Sequence, residues 1–226
     1  MKILGQLTMV LLLSASIISC KEQAGEKAST GEAAETAQAS GVDYAVDVAA
    51  SQIMWEGSKP TGSHTGTVNL TEGSFSVEDG LISSGSFTMD MNSITVTDLT
   101  GDEKGYLEGH LKGSDDKNRD DFFNVATYPT AKFEVTKVTK LVNNPEHTHL
   151  IYGNLTLRDV SKEVGFNATV SMEEGKVSVT TPKFTIDRTE WGVKYGSTKF
   201  FDNLKDKFIN DDIGLQINVI ANANPS

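Results

Sequence analysis

From Asp43 onward the apolar residues recur mainly with a period of two, and that alternation confines the chain to antiparallel sheet with one apolar face and one wet face. Phe75 and Val77 share a face, as do Phe87 and Met89, and Phe133 and Val135. Val164, Phe166, Ala168 and Val170 alternate with Gly165, Asn167 and Thr169, and Ile213, Leu215, Ile217 and Val219 alternate with Gly214, Gln216 and Asn218. Turn chemistry separates these segments: Thr71-Glu72-Gly73, Glu78-Asp79-Gly80, Asn143-Asn144-Pro145 and Glu173-Glu174-Gly175 supply left-handed or pre-bent geometry. A meander of about eight strands results. With no amphipathic helices to cover its apolar face, such a sheet must pack on itself, and closing into a barrel also removes its edges. The predicted fold is all-β, a single antiparallel lipocalin-like barrel.

The alternation breaks once, from Asp102 to Asn124, where charge clusters around Leu107, Leu111, Phe122 and Phe123. This stretch predicts a short helix and loop crossing one barrel mouth. Upstream of the barrel, Lys21 to Gly41 is built from Ala, Glu, Ser, Thr, Gly and Gln with no aromatic or large aliphatic residue, the composition of a disordered spacer. Lys2 and the apolar run Ile3 to Ile18 form a signal-peptide core, marginal for a spanning helix. Ile17-Ile18-Ser19-Cys20 resembles a bacterial lipobox, which implies acylation of Cys20. Acyl chains contribute roughly 0.8 kcal/mol per buried methylene, so the expected state is anchored and not spanning. Lys21 after the cysteine differs from an inner-membrane retention signal and favours outer-membrane delivery, facing the periplasm or the cell surface. The expected boundaries are 1–19 signal peptide, 20–42 acylated cysteine and spacer, and 43–222 barrel.

Composition excludes more than it proposes. Twenty basic against 31 acidic residues leave a formal charge of −11, a poor surface for nucleic acid and an argument against docking on anionic membranes through a basic patch. A single cysteine allows no disulfide framework, no CxxC pair and no thiolate zinc cage. GxSxG, HExxH, GxGxxG and phosphate-loop spacings are missing, so no enzyme is expected. His147 and His149 could share one strand face, but spacing supplies no third metal ligand. His64 has no evident catalytic partner.

Ordered blocks over Tyr44 to Ala221 carry a family resemblance. Asp47, Ser51, Ile53, Trp55, Gly57 and His64-Thr65-Gly66 open it, followed by Gly85-Ser86-Phe87 with Asp90-Met91-Asn92-Ser93-Ile94 and Asp98. Gly109-His110-Leu111-Lys112, Asp121-Phe122-Phe123-Asn124-Val125 and Tyr128-Pro129-Thr130-Ala131-Lys132-Phe133 form the most recognisable stretch. Gly153-Asn154-Leu155-Thr156-Leu157 with Val160 and Lys162, then Phe184-Thr185-Ile186-Asp187-Arg188 with Trp191-Gly192 and Asp206, complete it. The sequence resembles the YceI-like family of lipid- and polyisoprenoid-binding proteins, with a longer charged link from Gly113 to Asp120 and with the acyl anchor as departures.

The resemblance implies a hydrophobic tunnel that takes the prenyl chain of an isoprenoid quinone or polyprenyl phosphate as ligand, with no cofactor and no metal, and a link to membrane electron transfer through an unknown partner. Its candidate wall is Trp55, Phe87, Phe122, Phe123, Tyr128, Phe133, Phe166, Phe184, Ile186 and Trp191. Any one of them could equally fill an ordinary closed core. Phe122 and Phe123, adjacent aromatics in a polar loop, fit a mouth better than a core. Arg188, His110 and Lys112 are headgroup candidates, and Arg188 has the alternative of an ion pair with Asp90 or Asp187. The competing function is a structural or stress-related envelope protein whose barrel is filled and which acts through protein contacts.

Overall fold

The computed structural model describes residues 25–173 and 175–223. Cys20 and the apolar run before it lie outside the described residues. The strands are β1 (Glu26–Lys27), β2 (Ser29–Glu32), β3 (Val42–Val46), β4 (Gln52–Lys59), β5 (Gly62–Glu78) and β6 (Leu81–Val96), followed by one helix, α1 (Gly101–Lys112). After it come β7 (Thr130–Lys140), β8 (His149–Leu157), β9 (Val160–Glu173), β10 (Lys176–Thr180), β11 (Phe184–Asp187) and β12 (Asp212–Ala223). No helix among the described residues is long and apolar enough to cross a membrane.

These elements close into a ring of eight. Two members of the ring are broken strands. β3 and β4 both lie between β12 and β5, and β10 and β11 both lie along β12. The remaining pairs within the ring are antiparallel neighbours in sequence order, as a meander requires. Tight turns make this possible: Asp79 and Gly80 link β5 to β6 with φ of 51° and 71°, and Arg158 and Asp159 link β8 to β9 with φ of 49° and 58°. Such left-handed pairs match the twist of two-residue hairpins. Register shifts along β5–β6 at Thr67/Asn69 and Leu70/Glu72 bend the two longest strands enough to wrap a barrel.

The helix arises where the alternation stops. Gly113, in the left-handed region at φ 69°, ends it by donating its N–H to the His110 and Gly109 carbonyls. The Glu108 carboxylate accepts the Val96 N–H at 2.8 Å, which ties α1 to the end of β6 and holds it across one mouth.

The N-terminal segment corrects the spacer expectation. Residues 26–41 are laid around the outside of the barrel. The gap they fill exists because β9 pairs β10 only over Thr169–Glu173, while Val160–Ala168 diverges from β11. β1 seals one side by parallel pairing with Phe184 and Thr185, and β2 seals the other by pairing with Lys162 to Gly165. The chain then crosses β8, where Asn154 Oδ1 accepts the Ala34 N–H at 2.9 Å and Asn154 Nδ2 donates to the Ala34 carbonyl at 2.7 Å. Ala37 donates to the Val135 carbonyl on β7, and the Ser83 hydroxyl on β6 donates to the Ser40 carbonyl. The segment therefore acts as a belt, held mainly by backbone groups that a sheet edge would otherwise leave unpaired. Replacing Asn154 with Ala removes both bonds to Ala34, the side-chain clamp on the middle of the belt. A loss of about 1–2 kcal/mol is expected in urea unfolding, with faster amide exchange at residues 33–41.

Candidate ligand cavity

Inward-facing residues leave a continuous space along the barrel. Its solvent-accessible volume is about 210 Å³, well over ten times the ~10–15 Å³ that one water needs, and its lining is almost wholly apolar. Along β7 the lining runs from Ala131 to Val138, roughly 20 Å at about 3.3 Å per residue, so the space is elongated.

Its middle is an aromatic band. Phe75 meets Phe87 edge-on at 4.9 Å, Phe87 lies 6.2 Å from Phe133, Phe133 lies 5.7 Å from Phe166, and Phe166 stacks on Phe184 at 4.6 Å. The band spans β5, β6, β7, β9 and β11, and it passes over β8 because that strand carries Gly153. A Cβ there would lie 2.3 Å from the Phe133 ring.

Trp55, Phe87, Phe122, Phe123, Phe133, Phe166, Phe184 and Ile186 all stand on the cavity wall. Two of the sequence candidates stand elsewhere. Trp191 is fully buried, and its indole N–H donates to the Leu155 carbonyl at 2.9 Å, so it fills the packing behind the wall. Tyr128 is half-buried beneath the Arg158 guanidinium, 5.7 Å from its ring centroid, outside the cavity lining. Aliphatic residues make up much of the wall, among them Ile53, Leu70, Met89, Met91, Ile94 and Leu155. Aromatic bulk drew the sequence reading, whereas plain alternation would have found most of these. Ile209 and Asn210 at the mouth carry no periodic signal at all.

The mouth's polar residues are largely occupied with one another. Arg188 is 2% exposed, and it donates from Nη1 to the Val193 carbonyl (2.7 Å), from Nε to Asn210 (3.1 Å) and from Nη2 to Ile209 (3.1 Å). Its ion-pair partner is Asp211, at 3.5 Å, and not Asp90 or Asp187. Burial pulls the guanidinium below its ordinary pKa, against the opposing pull of Asp211 and Asp187. The Phe122 ring lies 6.0 Å from it. Arg188 is thus a brace that folds the 193–210 loop onto the mouth, with few donors left for a headgroup. His110 bonds Asp121 at 2.8 Å and packs edge-on to Phe122 and Tyr195; unlike Arg188, which reaches the cavity wall, it stands outside the lining. Lys112, in the last turn of α1, is not on the wall either.

A second recess lies on the outer face of β11 and β12, lined by Lys27, Glu56, Lys183, Asp187, Lys199, Asp211 and Asp212 among others. Its charges neutralise one another: Lys27 pairs with Asp212, Lys183 with Glu56, and Lys199 with both Asp187 and Asp211. Burial raises the Asp187 carboxyl, but hydrogen bonds from Lys199 and Thr189 outweigh it and leave the pKa below the usual value. His64 pairs with Asp98 beyond β6, at 2.9 Å.

His149 is 5% exposed, its Nδ1 is 2.7 Å from the Thr148 hydroxyl, and its Nε2 is buried without a hydrogen-bond partner. No group of three or more His, Cys, Asp or Glu residues able to hold a metal occurs among the described residues. Burial, followed by the nearby Lys140 charge, holds the imidazole below its ordinary pKa of 6.5. The unfolded chain therefore takes up a proton below about pH 6.5 that the folded chain refuses, and stability present above that pH falls as the pH drops toward the depressed value. The His149 contribution is at most about 1.4 kcal/mol per pH unit, and it is read as the difference between wild type and His149→Gln in urea midpoints at about pH 7.5 and 5.5.

A closed antiparallel ring around an interior cavity defines the lipocalin-like class of barrels. Residues 44–221 match the YceI-like domain, and the chain belongs to that family. Two solved structures are similar in fold. Burkholderia cenocepacia BcnA shares 17% identity at a TM-score of 0.59, over 77% of this chain and 98% of that one. A polyisoprenoid binding domain from Saccharophagus degradans implicated in plant cell wall breakdown shares 16% at a TM-score of 0.58, over 81% and 99%. No curated protein matches the chain.

Proposed function

We propose that the barrel binds and carries a long apolar lipid of the polyisoprenoid type, without catalysis, at a bacterial cell envelope to which acylated Cys20 tethers it. The observation that carries this reading is the elongated, nearly all-apolar cavity reaching from the mouth residues Leu111 and Ile209 to Ile82 and Val138. Membership of the YceI-like family supports it, and so does the polyisoprenoid binding domain among its structural neighbours. Each five-carbon unit gains roughly 3–4 kcal/mol on burial at about 0.8 per carbon, before ordering costs, so a few units suffice without ionic contact. Because Arg188 already serves three carbonyls and faces Asp211, the headgroup remains at the rim, and a neutral quinone ring suits this mouth better than a phosphate drawn inside.

The test is mass spectrometry of the chain from Gly25 onward, purified without detergent, in native form and after organic extraction. Beginning at Gly25 keeps the belt strands that close the wall. A stoichiometric prenyl lipid is the expected result, and its mass gives chain length and headgroup together. An empty, folded protein that also refuses added quinone and polyprenyl phosphate sinks the carrier reading and leaves a structural barrel acting through protein contacts.

A further inference from the structure

The acidic balance of the whole chain hides a local reversal at the mouth. With Lys199 already paired to Asp187 and Asp211, the segment 193–209 still carries Lys194, Lys205 and Lys207 against Asp202 and Asp206, in a chain of formal charge −11. It also bears Tyr195, Phe200 and Phe201, which are 40%, 46% and 48% exposed, and Tyr106 on α1 is 73% exposed beside it. These groups form one surface. Tyr106 packs near His110 at 6.3 Å, His110 against Tyr195 at 5.0 Å, and the Lys194 ammonium stands 4.8 Å above the Phe200 ring. Aromatic rings backed by lysines are the pairing that settles at the headgroup level of a bilayer.

We infer that the 193–209 loop, with Tyr106, is a docking surface for an anionic phospholipid bilayer and presses the tunnel mouth against it. The belt supplies the orientation, and this part rests on the acyl anchor at Cys20 proposed above. Lys27 lies opposite Thr185, so Gly25 lies level with Lys183, four residues or about 13 Å along the strand from the rim at Asp187. The five-residue link from Cys20 to Gly25 spans at most about 18 Å, enough to reach the rim. Phe184 pairs with Leu215, so Gly25 is level with Gln216, and the far end of β12 at Ala223 is seven residues or about 23 Å away, beyond the reach of that link. An anchored barrel can therefore set its mouth, but not its opposite end, on the membrane. A prenyl chain would then pass between bilayer and tunnel without crossing water.

The full chain, reconstituted in phosphatidylethanolamine vesicles with about a fifth phosphatidylglycerol and brominated acyl chains, tests this directly by tryptophan quenching. Phe200→Trp and Phe201→Trp report on the loop, while Val142→Trp reports on the opposite end, where Val142 is 81% exposed. Trp55 and Trp191 give a constant background. Loop tryptophans are expected to lose about half their added fluorescence and Val142→Trp almost none, with Lys205→Glu plus Lys207→Glu reducing the loop signal. Equal quenching at both ends, or none at either, overturns the proposal. In the unsubstituted chain, vesicles should slow amide exchange across 193–209 and not across 141–148, and the reverse pattern would count against it. Quenching confined to the loop in protein that yields no prenyl lipid supports the docking surface while removing the carrier reading.

Discussion

Replacing Ala131 with Phe is expected to empty the tunnel of lipid while leaving the barrel folded. Ala131 is 2% exposed on β7, opposite Met89 of β6, and its methyl stands on the cavity wall. A ring there occupies space now open and blocks the passage between the mouth and the aromatic band. If one five-carbon unit can no longer be seated, the lost burial of roughly 4 kcal/mol corresponds to nearly three decades in affinity as an upper bound. The measured drop should be at least about tenfold after reordering of the remaining chain. Overpacking costs about 1–3 kcal/mol at a full site and less beside an open cavity, so the melting temperature separates a plug from a misfold. Unchanged lipid content in a folded Ala131→Phe protein would place the ligand elsewhere.

Arg188→Met should cost more stability than any other single change at the mouth. Three carbonyls, those of Val193, Ile209 and Asn210, lose their donor at once. Asp211, whose Oδ1 already lacks a hydrogen bond, loses a buried countercharge. Removing one partner of such a pair costs roughly 3–5 kcal/mol, or a fall of about 10 °C in melting temperature for a chain of this size. Adding Asp211→Asn should recover part of it, since a carboxylate left with only the half-exposed Lys199 as partner is then gone. A loss below about 1 kcal/mol would show that the loop is held by something other than the guanidinium.

How far the sequence disclosed this arrangement depends on which atoms do the holding. β12 was legible because its side chains do the work: Ile213, Leu215, Ile217 and Val219 face the cavity at every second position, a pattern visible in the letters alone. α1 was legible by the opposite sign, since a charged stretch around Leu107 and Leu111 cannot continue a two-residue alternation. The belt was not. Residues 29–40 are Ser, Thr, Gly, Glu, Ala and Gln, with no apolar period, and backbone groups seat them in a gap that exists only once β9 and β11 have diverged. The pairing of Arg188 with Asp211 was hidden for a related reason. The two are brought together by the fold of the 193–210 loop, and nothing in their spacing favours Asp211 over the nearer Asp187.

The belt also sets an order of assembly. Ser29 pairs with Gly165, Glu26 pairs with Phe184, and the Asn167 amide reaches Glu26 across 141 positions of chain. Contacts that distant form late, because the loop they close is costly until the intervening strands are in place. The belt residues, synthesised before the strands they pair with, are therefore among the last to be seated. Until they are, Lys162 to Gly165 and Phe184 to Thr185 face each other as two open strand edges, each able to accept a strand from another molecule. A fragment cut at residue 43, where the side-chain pattern begins, would carry that slit permanently. In a nascent chain the same slit stays open until the N-terminal segment comes home, so the belt is as much a guard against strand exchange between neighbouring chains as a part of the finished wall.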